Sequence, residues 1–230
     1  MSEPPTLSLR DWPASERPRE RLIAEGPARL TDAELLAVFL RTGVPGRHVI
    51  DLARQTLGRF GSLHAVLTSG IGEFCEVDGL GPGKWAVLRA AVEMTRRSLA
   101  EQLRDRDALT TPRAVRDFLS LWLRDRPHEV FAVLFLDSQH RLLVAEELFR
   151  GTLNQAAVYP REVARRALQL NAAALILAHN HPSGVAQASA ADRLLTDRLK
   201  AAMAGLDIPV LDHLIIAGNA SLSFAEKGWL

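Results

Sequence analysis

Ala174-Leu175-Ile176-Leu177-Ala178-His179-Asn180-His181-Pro182-Ser183-Gly184, followed by Ser189-Ala190-Ala191-Asp192, is the stretch on which the fold turns. The apolar run Ala174 to Ala178 reads as a strand covered on both faces, and Pro182-Ser183-Gly184 as the turn that ends it. Side chains two apart in extended backbone point the same way, so His179 and His181 leave the strand end together with their imidazoles converging. Ser189 with Asp192 three residues on opens a helix, and Asp192 in its first turn can reach the same point. Two nitrogens and one oxygen make a three-ligand site with a fourth position left to water, the ligand count of a catalytic zinc centre. Ser-x-x-Asp ahead of an apolar run is also an ordinary helix cap, so the metal reading depends on the order and spacing of the parts.

His179-Asn180-His181-Pro182, six residues, then Ser189-Ala190-Ala191-Asp192 resembles the JAMM (MPN-plus) zinc metalloprotease signature. More closely, His179-Asn180-His181-Pro182-Ser183-Gly184, with Tyr159-Pro160-Arg161-Glu162 upstream and Leu211-Asp212-His213 downstream, is similar to the bacterial RadC family, historically labelled as DNA repair proteins. The resemblance covers about the last 120 residues, and the first hundred follow the same family's helical N-terminal arrangement. It implies an α/β fold: a C-terminal JAMM-type, cytidine-deaminase-like mixed sheet flanked by helices, residues 106–230. A smaller all-α domain with a helix-hairpin-helix-like turn, residues 1–105, precedes it.

Bulk composition is compatible with this. The 230 residues suffice for one large or two small domains, and 47% hydrophobic with 24% charged residues is ordinary soluble globular protein. A net charge of +1 gives no general attraction to nucleic acid or anionic membrane. The single cysteine, Cys75, excludes an internal disulfide and a cysteine-based zinc site. With no leader pattern near Met1 and no apolar run of about 20 residues, neither a secretory signal nor a membrane span is expected, and the expected location is cytoplasmic.

Residues 1–27 hold five of the twelve prolines and read as an extended arm with a short helix near Glu20. Thr31-Asp32-Ala33-Glu34 is a helix start, with Thr31 as N-cap and Glu34 three later. A helix from about His48 to Leu57 follows, then short helices at Ser62 to Leu67 and Gly70 to Cys75. Val77-Asp78-Gly79-Leu80-Gly81-Pro82-Gly83-Lys84 opens a long helix ending near Arg104. Gly79-Leu80-Gly81 resembles the helix-hairpin-helix turn, whose amides can hold a DNA phosphate, with Lys84 as the nearby cation. Against this, residues 1–105 carry fourteen Lys plus Arg and fourteen Asp plus Glu, and a neutral domain lacks a DNA binder's electrostatic footprint. The alternative is a glycine turn that lets two helices pack closely.

Arg104-Asp105-Arg106-Asp107 reads as the linker, and Thr111 as N-cap of a helix with Pro112 at its first position. Val130 to Leu136 is a central strand, Leu142 to Phe149 its antiparallel neighbour, and Pro160 to Leu170 a helix. Ser189 to Ala204 is a helix closed by Gly205, and Val210 to Ala217 a strand paired with Ser221 to Phe224 around Gly218-Asn219.

A hydrolytic site also needs a base. The candidates are Glu129, Glu146, Glu147 and Glu162; in the JAMM family this glutamate lies where a first helix gives way to the first strand, a place that Glu129 occupies. The resemblance further implies that Ser189 donates to the oxyanion formed when water adds to a carbonyl. His213 has two readings: orienting a ligand or binding substrate from behind the site, or a histidine satisfied within the core. A zinc deaminase would need Pro-Cys-x-x-Cys and a gluzincin His-Glu-x-x-His, and neither is present. The expected activity is zinc-dependent hydrolysis of a peptide or isopeptide bond in a peptide or protein substrate. Its rivals are a DNA-associated accessory factor with a weak contact through the hairpin, and an interaction module without hydrolysis. The sequence carries no signature of oligomeric state.

Overall fold

A computed structural model of the chain describes residues 12–108, 112–151 and 158–230. The chain divides into two compact units, Met1–Met94 and Thr95–Leu230. Among the described residues, no helix is long and apolar enough to cross a membrane.

The first unit is helical: α1 (Pro18–Glu25), α2 (Asp32–Leu40), α3 (Val49–Phe60), α4 (Leu63–Thr68), α5 (Ile71–Cys75) and the start of α6 (Pro82–Asp105). Helix α1 supplies the short helix expected near Glu20, and residues 1–11 of the expected arm lie outside the described residues. Helix α2 begins as its sequence prescribes. The Thr31 hydroxyl accepts from the Glu34 amide at 3.3 Å while the Glu34 carboxylate accepts from the Thr31 amide at 2.8 Å, a reciprocal capping box. Leu36 and Leu40 of α2, Leu52 and Ala53 of α3, Val66 of α4 and Phe74 of α5 are buried together.

The hairpin between α5 and α6 packs against this core through Gly79. Its φ is +90°, in the left-handed region, and a Cβ there would lie 2.5 Å from Val44 Cγ1 and 3.4 Å from Leu52 Cδ2. Glycine is therefore required on two counts, conformation and space. Lys84 laces the turn by donating from Nζ to the Gly79 carbonyl at 2.8 Å and to the Thr42 carbonyl at 2.6 Å. Gly81 is different: its φ is not positive and a Cβ would enter open space.

The second unit contains α7 (Pro112–Leu123), β1 (Val130–Leu136), β2 (Leu142–Arg150), α8 (Pro160–Gln169), β3 (Ala174–Asn180), α9 (Ala190–Ala204), β4 (Val210–Ala217) and β5 (Ala220–Ser223). Pro112 takes the first helical position of α7, and Thr111, its expected cap, lies outside the described residues. The sheet runs β2-β1-β3-β4-β5 and is mixed: β1 is antiparallel to β2 and β3, β3 parallel to β4, and β4 antiparallel to β5.

Every residue of β1 and of β3 is buried, as near-continuous apolar strands must be when both faces are covered. The pleat deals their side chains to two cores. Ala132, Leu134, Leu136, Ala174, Ile176 and Ala178 pack with Phe118, Leu119 and Leu123 of α7. Phe131, Val133, Phe135, Leu175 and Leu177 pack with Val163 and Ala167 of α8 and Leu199 and Met203 of α9. Each fully buried Leu or Phe stabilises by roughly 1.5–3 kcal/mol on a transfer scale. The odd-numbered face of β3 is therefore the one that looks at α9.

One prediction concerns the hairpin. Gly79→Ala is expected to destabilise the protein by roughly 2–4 kcal/mol, from left-handed backbone strain plus overpacking, and Gly81→Ala to change stability by less than about 1 kcal/mol. Urea unfolding of both variants checks it, with equal midpoints counting against the packing account.

Candidate metal centre

Strand β3 runs two residues beyond the apolar run that announces it. His179 sits inside the strand, opposite Phe131 of β1 and beside Ile215 of β4, so the ladder holds its backbone on both sides. By the alternation above, His179 continues the odd face and points at α9, whose first turn presents Asp192. His181, one residue past the strand, keeps the same direction and is tied by its amide to the Ile216 carbonyl at 2.8 Å. The turn expected at Pro182-Ser183-Gly184 is present: the Gly184 amide donates to the His181 carbonyl at 3.0 Å, and Gly184 has φ +77°.

Three of the predicted residues come together. His179 Nε2 lies 3.0 Å from His181 Nε2 and 3.3 Å from Asp192 Oδ1, and His181 Nε2 lies 3.7 Å from Asp192 Oδ2. His179 and Asp192 are wholly buried, and His181 partly. Tetrahedral coordination with metal–ligand distances near 2.0–2.1 Å gives ligand–ligand edges of about 3.3 Å, close to the separation of His179 Nε2 from Asp192 Oδ1.

The proton positions follow from the partners. Thr196 Oγ1 donates to the Asp192 carbonyl at 2.6 Å, so it is free to accept from His213 Nδ1 at 2.7 Å. His213 Nε2 is then an acceptor and takes the Nδ1 hydrogen of His179 at 2.8 Å, which leaves His179 Nε2 with a bare lone pair. His181 Nδ1 faces the Val185 carbonyl at 2.9 Å and must donate to it, so His181 Nε2 is bare as well. Burial, with the neighbouring His179, holds the His213 pKa well below that of ordinary imidazole, so this histidine stays neutral in its relay.

Asp192 completes the set. Its Oδ2 accepts from the Ser189 amide at 2.7 Å and from the Ser189 hydroxyl at 2.8 Å, while Oδ1 is buried without a hydrogen-bond partner and faces His179. Burial pushes its carboxyl up, and the two Ser189 donors pull it down. Two bare imidazole nitrogens and an orphaned carboxylate oxygen could hold a shared cation between them. The donor set fits a divalent borderline metal.

Ser189 is the N-cap of α9, expected from its sequence, and its one hydroxyl hydrogen goes to Asp192 Oδ2. Glu129 precedes β1. Extending the Phe131–His179 register by one pleat sets it opposite His181 on the odd face, and with Phe131, Phe149, Arg150 and His179 it lines a narrow crevice beside the triad. The other three glutamates form ion pairs away from the triad. Glu146 is held by both Arg166 nitrogens, Nε at 2.7 Å, a bond that lowers its pKa; Glu147 pairs with Arg126 and Arg150; and Glu162 pairs with Arg165 at 3.0 Å. Gly79, Gly81 and Lys84 belong to the first unit, and two of the three Lys84 ammonium hydrogens are used on the Gly79 and Thr42 carbonyls.

Sequence reading missed Thr196 and Asn180. Thr196 stands four residues after Asp192 on the stripe it shares with Leu199 and Met203, and a hydroxyl on an otherwise apolar helix face is a signal that could have found it. Asn180 offered no such signal, because a residue between two ligands is hidden on the opposite face.

Residues 109–229 match the family model of the RadC-like JAB domain, and residues 9–86 match that of the UPF0758 N-terminal region. Similar chains include UPF0758 proteins of Ectopseudomonas mendocina, 58% identical over 224 residues, and of Aeromonas hydrophila, 57% over 224 residues; in each pair the match takes in 97% of this chain and 100% of the relative. A UPF0758 protein of Methylibium petroleiphilum is 59% identical over 222 residues, 96% of this chain and 100% of its own. A JAB-type sheet bearing a His-His-Asp cluster able to hold a metal, joined to these full-length matches, makes this chain a member of the RadC (UPF0758) family.

Proposed function

We propose that the chain is a zinc-dependent hydrolase of amide bonds, acting on a peptide or isopeptide link. The observation that carries the reading is the convergence of His179 Nε2, His181 Nε2 and the partnerless Asp192 Oδ1, with the tautomer of each histidine fixed from behind. Zinc suits two imidazoles and a carboxylate, and when bound it would supply Lewis acidity toward a carbonyl and toward water.

The remaining chemistry belongs to the chain. Glu129, in the crevice that it shares with His179, takes a proton from the attacking water and returns it to the leaving amine. Ser189 holds Asp192 in place, and for the oxyanion role its hydroxyl turns from Asp192 Oδ2 toward the substrate oxygen. His213 and Thr196 keep the Nε2 lone pair of His179 aimed into the site. Its place in the crevice that His179 also lines favours Glu129 among the four glutamates. The DNA-associated reading draws less support, since Lys84 spends two hydrogens on carbonyls and Gly79 is explained by packing.

Elemental analysis of the purified protein is expected to give about one zinc per chain, falling to near zero in Asp192→Ala and in the His179→Ala, His181→Ala double variant. A wild type that takes up no metal when zinc is offered would sink the proposal. Glu129→Gln is expected to keep its zinc and lose about 10²–10⁴-fold in turnover of a fluorogenic isopeptide, because only the proton carrier is removed. Metal affinity should also fall on acidification, since protons compete with the metal for nitrogen and carboxylate ligands. Chelator competition at pH 8 and pH 5.5 measures this, and a pH-independent affinity would contradict the bare-nitrogen assignment.

A further inference from the structure

Asn180 stands between the two histidine ligands, on the even face of β3, and is 1% exposed. Its side chain makes three hydrogen bonds, all to the backbone that joins α7 to β1. Oδ1 accepts from the Val130 amide at 2.8 Å, and Nδ2 donates to the His128 carbonyl at 3.1 Å and to the Arg126 carbonyl at 3.3 Å. Both amide hydrogens are used, so the side chain is fixed in orientation as well as in place. The other even-face residues of β3, Ala174, Ile176 and Ala178, are apolar and pack on α7. An amide here is the exception, and a buried polar group is tolerated only where its bonds are made.

The clasp brackets one residue. Glu129 lies between the His128 carbonyl and the Val130 amide, and its own carbonyl accepts from the Gly151 amide at 3.0 Å. We infer that Asn180 is a positioning residue that couples the placement of Glu129 to that of the metal ligands. His179, Asn180 and His181 share one stretch of backbone; the outer two set the ion and the middle one sets the base. The inference rests on Glu129 being the base. Rigid coupling matters because a displacement of about 1 Å in a reacting group costs on the order of 100-fold in rate.

A purely structural Asn180 would lower stability without acting through Glu129, and a double-variant cycle separates the two. Asn180→Ala, Glu129→Gln and their combination are compared with wild type for zinc content, amide exchange of residues 126–130 and turnover of the fluorogenic isopeptide. Asn180→Ala should keep about one zinc per chain, raise exchange at Val130 at least tenfold, and lose about 100-fold in turnover with KM little changed. In the Glu129→Gln background, the same substitution should cost less than about threefold more. Multiplicative losses, or unchanged exchange at Val130, would overturn the inference. If Asn180→Ala does not fold, Asn180→Thr, β-branched and able to donate one hydroxyl hydrogen, takes its place in the cycle with the same outcomes expected and the same outcomes overturning the inference. If wild type hydrolyses nothing, the hydrolase reading fails by itself; exchange and zinc content then decide whether the clasp exists, unchanged Val130 exchange overturning it and a rise with zinc retained sustaining it.

Discussion

Three electron-rich atoms meet in a buried place with no hydrogen of their own to share, and the second unit is built so that they cannot part. Two imidazole nitrogens at 3.0 Å and a carboxylate oxygen at 3.3 Å repel one another in a medium that screens poorly. Each is held by something stronger than the repulsion: His179 by the ladder and the His213–Thr196 relay, His181 by Val185 and Ile216, Asp192 by the helix start that Ser189 caps. A cation placed among them turns this opposition into attraction, and the strain of assembling the site becomes affinity for the ion.

What makes the assembly possible is the period of two along β3. A strand covered on both faces must send alternate side chains to opposite cores, and the two cores hold different helices. Ligands at 179 and 181 thus meet the helix that brings Asp192, while Asn180 meets the segment that brings Glu129. The parallel β3–β4 pair with α9 between them in sequence places His213 behind His179, and Phe224 stacks on the far side of the His213 ring at 4.8 Å between centroids. The His-His-Asp cluster, the histidine behind it and its apolar backing form successive layers.

Much of this was legible in the chain itself. Thr31 and Glu34 announced α2, the uniform apolar runs announced β1 and β3, and the spacing of His179, His181 and Asp192 announced a shared focus, because each signal is local and has one physical cause. Contacts made across the sheet were not legible. Whether His213 backs the site or merely fills the core depends on which β4 residue lies beside His179, and register across a long connection leaves no mark in the sequence. The same holds for Asn180, whose partners lie some fifty residues away.

The alternation of β3 also governs which changes of chain length the family can accept. One residue inserted or lost within 174–178 would exchange the two faces, turning the histidines toward α7 and the asparagine toward α9, so that no ligand, relay or clasp would survive. The connection from Pro182 to Ala188 carries no such parity, because Asp192 takes its direction from its own helix cap. Beyond the Val185 carbonyl that holds His181, that connection can therefore be lengthened or reshaped while the strand beneath it stays fixed in length.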